Sequence, residues 1–125
     1  MDIRLELVMV PVTDVDRAKS FYERAGFHAD HDVTVSEEVR FVQLTPPGSA
    51  CSIAVGKGLT RMPPGSLDNM QVVVEDIEEA HAGLTARGIG VSAIEDQPWG
   101  SFVYFADPDG NRWSVQQKVP REAAG

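Results

Sequence analysis

The chain has 125 residues, a hydrophobic fraction of 42%, a charged fraction of 24% and a formal net charge of −8. This length fits one compact domain or two small modules, and the acidic excess disfavours binding to the phosphate backbone of nucleic acids. No apolar run approaches the roughly 20 residues that span a bilayer, and the N-terminal residues lack the layout of a signal peptide. A single cysteine, Cys51, makes neither an internal disulfide nor a multi-cysteine zinc site. We therefore expect a cytoplasmic protein without a membrane partner.

The first half of the chain predicts a strand, a helix and three further strands. Residues 5–12 are apolar and β-prone, and residues 14–24 carry an apolar helical stripe that Thr13 or Asp14 can cap. Gly26 suits the left-handed residue that follows a helix. Further strands are predicted at 31–35, 39–44 and 51–55, and the Pro- and Gly-containing stretch 56–67 predicts a linker.

The second half predicts the same order of elements. We expect a strand at 70–74, a helix at 76–87 that ends before Gly88, and strands at 91–94, 102–105 and 113–116.

The two halves match at one spacing. The matching pairs are Asp14 with Asp76, Ala18 with Ala80, Gly26 with Gly88, and turn 45–48 with turn 107–110, all 62 positions apart (76 − 14 = 62). Matches at a cap, a helix end and a turn indicate an internal repeat. We therefore predict one domain over 1–125, with a βαβββ module at 3–56, a linker at 57–67, a second module at 68–117 and a tail at 118–125.

This duplication, with VTDVDRAKSFY early and FADPDGN late, resembles the vicinal oxygen chelate superfamily over residues 3–117. That superfamily includes glyoxalase I, bleomycin-resistance proteins, fosfomycin-resistance proteins and extradiol dioxygenases. The resemblance implies an α+β fold in which two tandem βαβββ modules form a cupped mixed sheet around a cavity, with the helices on the convex side. It also implies a homodimer. The fold alone does not decide the function, because it hosts many chemistries.

The resemblance also locates the positions that hold a metal in the metal-dependent members, on the first and last strand of each module. Here they are Leu7, Ser52, Asn69 and Ser114. Leucine has no donor atom, and neutral hydroxyl and amide groups do not offset the cost of stripping water from a divalent cation. We therefore predict no metal and no cofactor. Metal-dependent chemistry would need other ligands, such as Glu6, His28 or His31.

Alternation along the strands from these positions, with Tyr104 placed opposite Ser114, predicts the lining of the cavity. In fosfomycin-type relatives a tyrosine at this strand position lines the pocket. The predicted ligand-binding residues are Leu7, Met9, Arg40, Val42, Ser52, Asn69, Gln71, Phe102, Tyr104, Arg112, Ser114 and Gln116. Trp99 is added to them, since its place before the strand fits a loop wall with a stacking surface and equally fits plain packing. Apolar walls with a few polar groups are typical of small-molecule sites. The alternative is a cup filled by its own side chains or by a dimer partner.

We favour a metal-independent protein of the bleomycin-resistance kind, which binds and sequesters a small organic molecule. The main alternative is a metal-free enzyme of the lyase or isomerase type, in which Tyr104 donates a proton and Arg40 or Arg112 stabilises an oxyanion. The sequence offers no partner base for that reaction. A metal-dependent glyoxalase or dioxygenase, and a module that only dimerises, also remain open.

Overall fold

The computed structural model describes residues 1–121 and contains two four-stranded mixed sheets and two α-helices. The elements are β1 Leu7–Met9, α1 Val15–Arg24, β2 His28–Thr34, β3 Arg40–Thr45, β4 Ser52–Lys57, β5 Asp68–Val73, α2 Ile77–Ala86, β6 Glu95–Gln97, β7 Gly100–Ala106 and β8 Arg112–Gln117. The order βαβββ occurs twice, so the predicted α+β class and the two tandem modules are confirmed. Residues 122–125 of the predicted tail lie outside the described range. Neither of the helices within residues 1–121 has the length and apolar character needed to cross a bilayer.

The chain forms two compact units. The first comprises Met1–Leu67 together with the turn Asp107–Asn111, and the second comprises Asp68–Ala106 and, of the described residues, 112–121. The strand order is β1-β4-β3-β2 in the first sheet and β5-β8-β7-β6 in the second. In each sheet the first strand runs parallel to the last, and the other pairs are antiparallel. The two sheets therefore have the same topology.

Both helices begin and end within one residue of their predicted bounds. Asp14 caps α1 by accepting a hydrogen bond from the backbone N–H of Arg17 at 3.0 Å, and Asp76 caps α2 in the same manner. Gly26 and Gly88 follow the helices with φ values of +105° and +80°, a region that favours glycine.

Helix α1 packs on its sheet through Ala18, Phe21 and Tyr22, which share one helical face and are buried. Opposite them lie Val42 and Leu44 of β3, both with no exposed surface. Burial of each large apolar side chain contributes about 1.5–3 kcal/mol, so this layer is the core of the first unit.

The repeat spacing changes along the chain, so the prediction of one uninterrupted offset is wrong. The helices begin 62 positions apart (77 − 15 = 62), but the last strands begin 60 apart (112 − 52 = 60), because module two is two residues shorter between its helix and its last strand. Strand pairing matches Met9 with Ala54 and Gln71 with Ser114. The structural counterpart of Ser114 is therefore Ala54 and not Ser52.

The strand predicted at 91–94 is also wrong, since β6 is Glu95–Gln97. Ser92 does contact β7: its backbone N–H donates to the Tyr104 carbonyl, and its Oγ accepts from the Tyr104 N–H, both at 2.9 Å. A side-chain oxygen takes the place of a backbone carbonyl there, which interrupts the ladder. The first strand is likewise shorter than predicted, at Leu7–Met9.

Arg40 and Val42 lie on the helix side of the first sheet, so their predicted placement beside Ser52 is wrong. The Arg40 guanidinium contacts Asp16 of α1 at 2.8 Å and bonds both oxygens of Asp32 at 2.8 and 3.0 Å. The reason is the register of β3 and β4, which pairs Val42 with Val55. A uniform offset of 62 from the Tyr104–Ser114 pair predicts instead that Val42 lies opposite Ser52.

Tyr22 provides a test of the buried polar contacts. Its hydroxyl donates to Asp107 Oδ2 at 2.8 Å, and both residues are buried. We expect Tyr22→Phe to lower the free energy of unfolding by about 1–3 kcal/mol, because a buried carboxylate loses a donor. Urea denaturation measures the change. Tyr104→Phe is the matched control and should change stability by less than about 0.5 kcal/mol; equal losses in the two variants would contradict this assignment.

Asp32 provides a test of the surface electrostatics. Hydrogen bonds from Arg40, then from Lys19, hold the pKa of Asp32 well below its usual range. A carboxyl whose pKa falls on folding stabilises the fold above its unfolded-state pKa of about 3.9 and loses that contribution as the pH drops.

Asp32→Asn should therefore lower the free energy of unfolding at neutral pH. The expected loss is only about 1 kcal/mol, because solvent screens the ion pairs of Asp32 with Arg40 and Lys19. The substitution should also make the loss of stability below about pH 4 shallower than in the wild type. Urea midpoints measured across this pH range test the prediction. Parallel curves for the two proteins would show that Asp32 does not contribute.

Candidate functional site

The second unit contains a cavity of about 460 Å³ on one face of its sheet. This volume lies within the range of small-molecule sites, about 300–1,000 Å³. The residues that line it are Asn69, Gln71, Gln97, Trp99, Phe102, Tyr104, Ser114 and Gln116.

Strand pairing explains why these side chains converge. Tyr104 pairs with Ser114 across the β7–β8 hairpin, as predicted, and Phe102 pairs with Gln116. On the other side of β8, Ser114 pairs with Gln71 of the parallel strand β5. Paired residues of neighbouring strands place their side chains on the same face of a sheet, so five lining residues come from three adjacent strands.

A chain of hydrogen bonds runs across the floor of the cavity. Ser114 Oγ donates to Gln71 Oε1 at 3.1 Å, and Gln71 Nε2 donates to Gln116 Oε1 at 2.7 Å. Gln116 Nε2 then donates to the backbone carbonyl of Trp99 at 3.1 Å. These bonds fix the rotamers of the polar floor before a ligand arrives, which lowers the entropic cost of binding.

Aromatic rings form the walls. The rings of Phe102 and Tyr104 are parallel within 3°, with centroids 6.1 Å apart. The Trp99 side chain is 63% exposed, which leaves its indole available for stacking on a ligand. Within residues 1–121 the Tyr104 hydroxyl makes no hydrogen bond, so it too is available.

Seven of the thirteen residues predicted to bind ligand lie in this cavity. They are Asn69, Gln71, Trp99, Phe102, Tyr104, Ser114 and Gln116. Arg112 is not among the lining residues; it is exposed at the start of β8, where Arg112 Nη1 lies 3.3 Å from Asp68 Oδ1. Leu7, Met9 and Ser52 belong to the first unit and share one face of its sheet, since Leu7 pairs with Ser52 and Met9 with Ala54.

Sequence reasoning missed Gln97. It lies on β6 and pairs with Gly100 of β7, but the strand was predicted at 91–94, which left residue 97 in a connection. The indication present in the sequence is Trp99-Gly100, which marks a tight return into β7 and so favours a strand directly before it.

The first unit carries a polar chain on the corresponding face of its sheet. Ser52 Oγ accepts from Gln43 Nε2 at 3.2 Å and lies 2.6 Å from Thr45 Oγ1. Thr45 donates to Asp30, whose other oxygen lies 2.9 Å from His28 Nδ1. Hydrogen bonds from Thr45 and then His28 lower the pKa of Asp30. This face therefore carries an ionised carboxylate whose oxygens are both engaged.

The residues at the family's metal positions do not fit a metal. Leu7 and Ala54 have no donor atom beyond the backbone, and the Ser52 hydroxyl is engaged with Gln43 and Thr45. Asn69 offers only a neutral amide, and Ser114 donates to Gln71. Neutral oxygens of this kind are poor ligands for zinc or iron. Among residues 1–121 no three His, Cys, Asp or Glu side chains are grouped to hold an ion.

Comparisons with known proteins agree with this architecture. The structure superposes with a TM-score of 0.84 on TnmS3, an antibiotic binding protein from Streptomyces sp. CB03234, at 34% identity, covering 94% of this chain and 98% of that one. A glyoxalase/bleomycin resistance protein from the same organism gives a TM-score of 0.79 at 35% identity, covering 91% and 100%. The uncharacterized protein YetH of Bacillus subtilis (strain 168) is 27% identical over 113 residues, covering 88% of this chain and 94% of YetH.

The match to a protein family is equally broad. Residues 4–115 match the model of the Glyoxalase/Bleomycin resistance protein/Dioxygenase superfamily. That range includes both βαβββ modules up to Val115 of the last strand. The chain therefore belongs to the glyoxalase/bleomycin resistance protein/dioxygenase superfamily, as the duplicated topology and the late turn had indicated.

Proposed function

We propose that this protein binds a small organic molecule in the cavity of its second unit and sequesters it without a metal. The observation that carries the proposal is the cavity itself, about 460 Å³ with an exposed indole, two parallel rings and a hydrogen-bonded amide floor. A similar protein, TnmS3, is an antibiotic binding protein. An aromatic antibiotic is therefore the first class of ligand to test.

Sequestration has more support than catalysis. Proton transfer needs a donor paired with a base at hydrogen-bonding distance, and the Tyr104 hydroxyl has no such partner within residues 1–121. The two arginines of the enzyme hypothesis are committed elsewhere, Arg40 to Asp16 and Asp32, and Arg112 to Asp68. The cavity lining therefore supplies binding groups without a proton-transfer pair.

We also propose that the protein is a homodimer. Met1, Ile3 and Leu5 precede the edge strand β1 and are exposed. Exposed apolar residues grouped beside an edge strand favour association with another chain. The cytoplasmic location remains a proposal that rests on composition.

Ligand binding is tested with protein dialysed against EDTA and a panel of aromatic antibiotics that includes bleomycin. We expect at least one compound to raise the melting temperature, since a ligand at a hundredfold excess over its Kd stabilises the fold by about 2.7 kcal/mol. Trp99→Ala should weaken that binding by about 0.5–1.5 kcal/mol, because a stacking partner is lost. Val33→Ala, which shortens an exposed side chain in the other unit, is the control and should bind normally.

The fate of the bound antibiotic separates sequestration from catalysis. Mass spectrometry after denaturation of the protein should recover the compound unchanged. A converted product that disappears with Tyr104→Phe would favour the metal-free enzyme instead. Binding that returns only when a divalent metal is added would contradict metal independence.

Sedimentation velocity tests the dimer. We expect a species of about twice the chain mass of 13.6 kDa. Leu5→Lys should shift the population toward monomer, because it places a charge in the apolar contact. Asp2→Lys adds the same side chain at an exposed polar position and is the control; a monomer at every concentration of the wild type would rule out the proposal.

A further inference from the structure

We propose that Asn69 is the residue through which this cavity selects an uncharged, hydrogen-bonding ligand. The inference rests on the proposed binding function and goes further, since it specifies the charge of the ligand and the side chain that recognises it.

The backbone at Asn69 is unusual. Among residues 1–121 it is the one non-glycine residue with a positive φ, +95°. Asp68 pairs with Arg112 and Met70 pairs with Trp113, so Asn69 is the additional residue of a β-bulge between them. Bulges occur next to binding sites, where they redirect a side chain, and a strained non-glycine residue persists where the surroundings or the function require it.

The first unit shows that the repeated fold does not require this bulge. There Leu7 pairs with Ser52 and Val8 with Ile53 in regular register, so β1 has no additional residue corresponding to Asn69. β1 and β5 both run parallel to the last strand of their sheets. The distortion is therefore specific to the unit that contains the lining of aromatic rings and amides.

The Asn69 carboxamide is available to a ligand. Three glutamines also line the cavity. The amides of Gln71 and Gln116 are engaged with one another and with Ser114 and Trp99; Gln97 is not engaged in this way within the described part of the chain, but it lies in the regular ladder of β6 and not at a bulge. The side chain of Asn69 makes no hydrogen bond to any other residue in 1–121. It therefore presents an unused donor and an unused acceptor to the cavity.

The lining favours a neutral ligand. Its eight residues contribute amides, hydroxyls and aromatic rings, and none of the eight is Asp, Glu, Lys, Arg or His. A charged group that entered would lose water, and none of the eight lining side chains would supply a counter-ion, which is costly. The net charge of −8 attracts cations at long range, but salt screens that attraction beyond about 8 Å. Desolvation inside the cavity therefore decides the selectivity.

Three planar tricyclic probes of similar size test the inference: acridone, which is neutral and carries an N–H donor and a carbonyl acceptor, cationic aminoacridine, and anionic anthracene carboxylate. Fluorescence titration of the wild type should give a Kd for acridone about tenfold below the other two. Asn69→Gly should weaken acridone binding about tenfold with an unchanged or higher unfolding midpoint, since glycine adopts this φ without strain. Asn69→Asp should reverse the preference toward aminoacridine.

Glu95→Gln is the matched control. Glu95 is exposed and pairs with Phe102, so it is a charged residue next to the lining by strand register. This variant should bind acridone with wild-type affinity. Wild-type preference for a charged probe, or wild-type affinity in Asn69→Gly, would overturn the inference and leave the binding function in place. If neither the three probes nor the antibiotic panel binds the wild type, both the inference and the binding function are wrong.

Discussion

The β7–β8 hairpin depends on the hydrogen bonds that the buried carboxylate of Asp107 accepts. Its Oδ2 accepts hydrogen bonds from the Tyr22 hydroxyl and the Asn111 amide, both at 2.8 Å, and its Oδ1 accepts from the backbone N–H groups of Asp109 and Asn111 at 3.0 and 2.9 Å. A buried charge is tolerated when every lone pair is satisfied in this manner. Because the turn closes the β7–β8 hairpin, its conformation determines which residues of the two strands pair, and Ser114 reaches Tyr104 only in that register.

The sequence predicts those parts of the structure that local chemistry determines. The aspartate caps, the glycines after the helices and the Asp107–Asn111 turn each act over a few residues, so the helices and the Tyr104–Ser114 pair follow from them. The position of Arg40 depends on the length of a different hairpin, which the repeat does not conserve. The bulge at Asn69 is a tertiary feature, and the sequence indicates only that asparagine tolerates positive φ better than most residues.

Duplication has given two sheets of one topology and two different polar surfaces. In the first unit, Ser52 and Thr45 connect to an ionised aspartate beside a histidine, and the groups satisfy one another. In the second, glutamines and a serine form a neutral floor beneath aromatic rings. The fold tolerates this change because the core packing lies on the helix side of each sheet, where Val42 and Val103 are buried.

The Trp99 carbonyl has a consequence for the evolution of ligand choice. A carbonyl can only accept, so Gln116 must turn its nitrogen toward it; Gln116 then offers oxygen to Gln71, and Gln71 offers oxygen to Ser114. One main-chain atom thus dictates the orientation of three side chains. Every residue type at position 99 supplies that carbonyl. Substitution of Trp99 by another aromatic residue would therefore change the ring that stacks on the ligand and keep the hydrogen-bond directions of the floor beneath it.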